Sequence, residues 1–159
     1  MSFSALSVKG RALRYLAQRE HSRAELERKL ARQVPDTPEA SAATQIARAL
    51  DDLTAHGLIS EARVAESVLA SRASRYGVHR LRLTLQSKGL DPALVAATLK
   101  QARPTELERA REIWRRRYGA APSDAAERAR QMRFLAGRGF DGDVIRAVVQ
   151  GASEHDEPA

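Results

Sequence analysis

At 159 residues, with 43% hydrophobic but only 4% aromatic side chains, the chain must build any core from leucine, alanine, valine and isoleucine. It contains no cysteine, which excludes disulfides, thiol catalysis and zinc ribbons. The formal net charge is +7 and arginine outnumbers lysine 23 to 4, a bias that suits an anionic partner, because the guanidinium fork matches phosphate and carboxylate.

Residues 1–9 are expected to form a flexible leader. Leu13, Leu16 and Ala17 then mark a short helix ending near Glu20-His21. Ser22-Arg23-Ala24-Glu25 has the S-x-x-E form of a capping box, in which serine and glutamate each satisfy the other's backbone amide. Leu26 and Leu30 carry the helix that it opens, and Pro35-Asp36-Thr37-Pro38 breaks that helix. Thr37 is expected to cap the next one with Pro38 at its first position, and Ile46, Leu50 and Leu53 form its buried stripe.

His56-Gly57 stops this helix, with His56 beside its C-terminal dipole, and Ser60 caps the following one. Val64, Ala65, Val68 and Leu69 line that helix as far as Tyr76-Gly77, where glycine is expected to take the left-handed conformation of a helix end. Val78, Leu81 and Leu85 give a short helix one apolar stripe, Lys88-Gly89-Leu90 stops it, and Asp91-Pro92 supplies the next cap and first helical position. Arg103-Pro104 is another break. Leu107, Ala110, Trp114 and Tyr118 share one helix face, which makes Trp114 a core residue rather than a stacking platform for bases. Asp124 and Glu127 stand at the spacing of a second capping box. Met132, Phe134 and Leu135 line the helix that follows, and Asp141 opens a last helix carrying Val144, Ile145, Val148 and Val149. The polar, acidic tail 151–159 is expected to be disordered.

These landmarks repeat. Leu26 and Leu30 follow Ser22 at the offsets by which Leu81 and Leu85 follow Gly77, and Leu85 and Leu135 each stand four residues before a glycine. The spacing predicts an all-α chain of three tandem three-helix repeats, 10–58, 59–102 and 103–150, in an elongated array. Charge is unevenly spread: the net is +2 over residues 1–59, +4 over 60–102, +4 over 103–150 and −3 in the tail.

No nucleophile–base set stands out. His21, His56, His79 and His155 are scattered without metal-ligand spacing, and Asp51 and Asp52, adjacent on a helix, point about 100° apart. Gly137-Arg138-Gly139-Phe140 is too short to cradle a phosphate. No enzyme activity, catalytic residue, metal or cofactor is therefore expected. The basic helices carry the functional signal. Arg72 and Arg75 precede the tight turn at Gly77, and His79, Arg80, Arg82 and Lys88 follow it. A basic flank beside a buried stripe can track phosphates or an acidic protein groove. In the third repeat Arg109, Arg111, Arg115, Arg116 and Arg117 are dense, although Glu108 and Glu112 can pair with several of them at i,i+3 and i,i+4. Arg115, Arg116 and Arg133 are the next contact candidates. Nothing has the form of a recognition helix, so any contact to single-stranded or double-stranded DNA is expected to be nonspecific.

Several stretches, in this order and spacing, resemble the RecX family of RecA regulators. They are Ala12-Leu13-Arg14-Tyr15-Leu16 leading to Ser22-Arg23-Ala24-Glu25-Leu26; Leu53 to Ile59; Arg72 to Gly77; Arg80-Leu81 to Lys88-Gly89-Leu90; and Phe134-Leu135 to Arg138-Gly139-Phe140. Ser60-Glu61, Val64 and Thr84 depart from the pattern, which usually has an acidic pair, a larger aromatic and a glutamate there. The resemblance covers residues 10–150 and implies a curved array of three repeats. It also implies a modulator that binds the groove of the RecA filament on single-stranded DNA and limits filament growth or favours disassembly. With no apolar run of signal-peptide or membrane-spanning length, the protein is expected to be cytoplasmic, and a monomer. The expected partners are RecA and DNA, with no membrane. Two other classes compete with this reading: a nonspecific architectural DNA-binding protein acting without RecA, and a purely protein-binding adaptor.

Overall fold

The computed structural model describes residues 5–155, and among these the chain is helical throughout, with turns and one short 3-10 segment between helices. The helices are α1 (Val8–Gln18), α2 (Arg23–Ala31), α3 (Ala42–Ala55), α4 (Glu61–Arg72), α5 (Val78–Ser87), α6 (Pro92–Ala102), α7 (Glu106–Arg117), α8 (Ala125–Gly137) and α9 (Gly142–His155). A 3-10 turn, Arg103–Thr105, joins α6 to α7 at the expected proline break. No helix among the described residues is long and apolar enough to cross a membrane.

The chain divides into two compact units. The first holds the residues up to Ser67 together with Ser87–Asp91; the second holds Val68–Gln86 and the chain from Pro92 onward.

In the first unit Ala12, Leu26, Leu30, Val34, Ile46, Leu50, Leu53 and Ile59 form the core. The face that α1 buries is Val8, Ala12, Tyr15 and Leu16, and Leu13 is exposed. Helical spacing from Ala12 reaches Tyr15 and Leu16 but turns Leu13 aside by about 100°. Helix α1 also begins earlier than expected: Ser7 caps it by accepting from the Gly10 amide at 3.0 Å, so residues 8 and 9 are helical. The capping box at Ser22 forms as the sequence implies, with Ser22 Oγ accepting from the Glu25 amide at 3.1 Å and Glu25 Oε2 accepting from the Ser22 amide at 2.9 Å.

The start of α3 differs from expectation. Thr37 does not cap it; residues 37–40 close a turn in which the Thr37 amide donates to the Ala40 carbonyl at 2.9 Å. Ser41 is the cap, accepting from the Thr44 amide at 3.2 Å, while Asp36 accepts from the Ala42 amide at 2.6 Å. Two acceptors already serve the first amides at Ala42 and Thr44, so the helix begins four residues later than Pro38. His56 is the C-cap of α3, with Nδ1 2.8 Å from the Asp52 carbonyl oxygen.

In the second unit Ala110, Trp114, Leu135, Phe140, Ile145, Val148 and Val149 form a core against which Leu107, Ile113, Tyr118, Met132, Phe134 and Val144 pack. Trp114 is buried, and its indole N–H donates to Gln131 Oε1 at 2.8 Å. Gln131 is itself fully buried and donates to the Ala120 carbonyl, so the polar end of each side chain is satisfied. The second capping box is only half formed. Asp124 accepts from the Glu127 amide at 2.7 Å, but Glu127 reaches one residue further back, to the Ser123 amide and hydroxyl. Helix α9 continues through Gly151 to His155, into the stretch expected to be a disordered tail; residues 156–159, like 1–4 of the leader, lie outside the described residues.

Candidate functional site

The landmark Tyr76-Gly77 is built differently from a simple helix end. Gly77 does not take a positive φ; among the described residues only Gly57, Gly89, Gly119 and Gly139 do. Gly77 is required for contact instead. A Cβ there would collide with the Gly139 carbonyl oxygen and the Phe140 backbone. The Gly77 amide donates to the Arg138 carbonyl at 2.9 Å, and the His79 amide donates to the Gly139 carbonyl at 3.0 Å. The turn before α5 and the turn before α9 thus meet backbone to backbone. Gly139, at φ +85°, also presses against Arg80, leaving no room for a side chain.

Two charged residues hold this junction from beneath. Glu106, 3% exposed, accepts from the Val78 amide at 3.4 Å and from the Asp141 amide at 3.1 Å, so one carboxylate serves the first turns of α5 and α9. Arg109 donates to the carbonyls of Ala73 at 2.6 Å, Tyr76 at 2.7 Å and Ala102 at 2.9 Å. Burial lowers its pKa from the ordinary guanidinium value, against the raising effect of Glu106. Arg109 is therefore a half-buried structural cation whose donors are spent on backbone carbonyls. Neither role was legible in the sequence, since both depend on which carbonyls and amides the fold leaves unpaired.

Above the junction runs a chain of alternating arginine and aromatic side chains. The Arg80 guanidinium lies 5.1 Å from the Tyr76 ring centre, and Arg138 lies 5.7 Å from Tyr76 and 5.4 Å from Phe134. Arg117 lies 5.6 Å from Phe134 and 5.9 Å from Tyr118, whose ring meets Phe134 edge to face at 5.6 Å. Each contact is a cation–π interaction that fixes a guanidinium without using its N–H donors. Beside this ladder lies an open groove of about 530 Å³ lined by Ser74, Arg75, Ile113, Arg116, Arg117, Phe134 and Arg138. Four of its seven lining residues are arginines and none is acidic.

The sequence candidates divide accordingly. Arg75 and Arg116 line the groove, and Arg80 ends the ladder. Arg116 shares Nε with Glu112 at 2.9 Å, and both side chains are well exposed, so the pair is weak. Arg72 is exposed at the end of α4, while His79 turns toward Asp141, with Nε2 3.6 Å from Oδ2. Arg82 is half-buried and does not line the groove. Arg115 borders a separate hollow with Trp114, Gly119 and Val148, and Arg133 borders another with Met132, Ile145 and Arg146. Lys88 belongs to the first unit, where its ammonium meets Glu25 Oε1 at 2.8 Å with both side chains largely buried, and its role there is structural. Arg117, Arg138, Tyr76 and Phe134 were not candidates. Only the interleaving of arginine with aromatics across α5, α7 and α8 reveals them, and that is a tertiary pattern. Among the described residues no group of three His, Asp or Glu side chains is placed to hold a metal ion.

Known proteins share this architecture over most of the chain. Profiles described as the first, second and third three-helix domains of RecX match residues 9–41, 60–99 and 105–149. The chain is 55% identical over 152 residues to the regulatory protein RecX of Leptothrix cholodnii, covering 95% of this chain and 93% of that one. It is 43% identical over 157 residues to the RecX of Ralstonia nicotianae, covering 96% and 95%. A crystal structure of RecX from Lactobacillus salivarius superposes with a TM-score of 0.73 at 22% identity, covering 92% of this chain and 95% of that one, and shares the fold. With three domain profiles in order and relatives this similar over nearly their full length, the chain belongs to the RecX family of regulatory proteins.

Proposed function

We propose that this chain modulates the RecA recombinase by binding the groove of the RecA filament on single-stranded DNA. There it limits filament growth or promotes disassembly, and so lowers ATP hydrolysis, strand exchange and SOS co-protease activity. It does so as a monomer in the cytoplasm, without catalytic chemistry of its own. The observation that carries this reading is the arginine–aromatic face of the second unit, in a chain whose relatives are named regulatory proteins. Arg72, Arg75, Arg80 and Arg116 are the contact residues it implies on that unit, with Arg82, Arg115 and Arg133 at its margins. Exposed guanidiniums, each with N–H donors beyond those it spends on Gly137, Ser71 or Glu112, suit phosphate and carboxylate alike, which a nucleoprotein filament offers together.

The test is RecA ATPase activity on single-stranded DNA with this protein added well below one molecule per RecA. Loss of activity in that regime is the expected result. A second reading, an architectural DNA-binding protein acting without RecA, draws on the +7 net charge alone. It predicts loss of ATPase only once the DNA is saturated, and an affinity that falls steeply with salt as counterions are released. No effect in either regime would refute the assignment to RecA.

A further inference from the structure

We propose that the groove beside the ladder makes the second unit selective for single-stranded over double-stranded DNA, by seating one unstacked base on Ile113 and Phe134 while Arg75, Arg116, Arg117 and Arg138 hold the flanking phosphates. This deepens and rests on the reading given above, which puts the protein on a single-stranded DNA filament without assigning the surface that meets the strand.

Three observations carry it. The first is charge without neutralisation. Among the described residues Arg117 and Arg138 make no ion pair, and Arg75 donates only to the Ser71 carbonyl, at 3.3 Å. Contrast Arg23, whose guanidinium is shared between Glu27 at 3.0 Å and Asp51 at 2.7 Å. Two of the four groove arginines, Arg117 and Arg138, are positioned by aromatic rings rather than by acids, so an anion meeting them has no carboxylate to displace, while Arg116 keeps only its exposed pair with Glu112. That is an anion site organised in advance.

The second is repetition. Arg80, Arg138 and Arg117 occur in turn with one ring between each pair, Tyr76 and then Phe134. Cations recurring with a single ring between neighbours match a polymer with one negative charge per residue better than a peptide with occasional acidic side chains.

The third is the floor. Ile113 and Phe134 place an apolar surface inside a basic rim, in a space of about 530 Å³, within the roughly 300–1,000 Å³ typical of small-ligand sites. A duplex keeps its bases paired and presents only phosphates, so it can use the rim but not the floor. A single strand can turn a base out onto an aromatic and guanidinium surface, a contact worth about 1–3 kcal/mol per base. The difference between floor and rim is the source of the selectivity. The floor reads no donor or acceptor pattern, so it is indifferent to base identity.

The test uses the full-length chain without RecA, so its outcome is independent of the ATPase experiment. Fluorescence anisotropy would follow a labelled oligothymidylate and a duplex of the same length. The wild-type chain is expected to favour the single strand. Ser74→Leu fills part of the floor from an exposed position without adding a ring on which a base can stack and without changing the charge. It should weaken single-strand binding about tenfold and leave duplex binding unchanged. The double variant R117E/R138E should weaken both and lower the salt slope by about two. Far-UV circular dichroism confirms that each variant is folded. Equal effects of Ser74→Leu on both forms, or none on either, would overturn the proposal. So would unchanged oligothymidylate binding by R117E/R138E together with loss of binding to an acidic, aromatic peptide, which would assign the groove to a protein partner.

Discussion

Glu25 shows how one side chain serves both local and distant structure. It closes the capping box at Ser22, and it also accepts from Lys88 at 2.8 Å and Arg19 at 3.1 Å. Burial alone would raise its pKa, but the hydrogen bonds from Lys88, the Ser22 amide and Arg19 outweigh that and bring it down to about 2. Its ionised form therefore stabilises the fold fully above pH 4.5, and that contribution, about 3 kcal/mol, is lost as pH falls from 4.5 toward 2. His21 adds a second acid-sensitive step. Burial, with Arg19 and Lys29 nearby, holds its pKa below 6.5, and its Nε2 lies 2.8 Å from the Lys29 ammonium, so it is the neutral acceptor there. Protonation costs stability as pH falls below 6.5. Circular dichroism melts across pH 7 to 2 should show both losses. Glu25→Gln should remove the one below pH 4.5 and lower the melting temperature at neutral pH.

At the scale of the elements, the two turns joined at Gly77 and Gly139 decide where α5 and α9 begin. A methyl group at position 77 would have to push apart two backbones, because the atoms it meets are main chain and cannot rotate away. Gly77→Ala is accordingly expected to destabilise the second unit by about 2 kcal/mol or more. Trp114 is the single tryptophan of the chain and sits in the core of that unit, so its fluorescence reports the unit directly, as a lower denaturant midpoint. Glu106→Gln tests the same junction from beneath. It keeps one acceptor oxygen but loses the charge that favours two helix N-termini, and should cost about 1 kcal/mol by the same signal. The first unit has a related arrangement: Ser22 Oγ donates to the Lys88 carbonyl at 2.5 Å, and Arg28 donates to the Ser87 carbonyl at 2.8 Å. In both cases the residue before the second helix of a trio, Ser22 or Gly77, meets a turn that follows such a helix. The aligned landmarks of the sequence are thus contact points.

For the molecule as a whole, function should follow charge placement rather than total charge. Arg48 is exposed on α3 in the first unit, and Arg138 is part of the ladder in the second. Charge reversal at either changes the net charge equally. Arg48→Glu should leave RecA inhibition nearly intact, whereas Arg138→Glu should raise the concentration needed for half-inhibition about tenfold. Equal effects would mean that general electrostatic attraction, not the arginine–aromatic face, drives binding.

The amino-acid pattern determined what is local. Helical content, most helix ends, the Ser22 cap and the apolar stripes of α3, α5 and α9 all follow from spacing and from the chemistry of serine, glycine and proline within a few residues. The family resemblance was legible too, because it rests on such landmarks in order. Tertiary structure alone decided what depends on residues far apart in the chain. It tied Lys88 to Glu25 and Arg109 to backbone carbonyls, turned Leu13 outward, moved the α3 cap from Thr37 to Ser41 and replaced a left-handed Gly77 with a glycine needed for close approach. Above all, it brought Arg117 and Arg138 onto Phe134 beside Tyr76. An arginine's partner is whatever the fold places within reach of its long side chain, and periodicity along one helix carries no record of that.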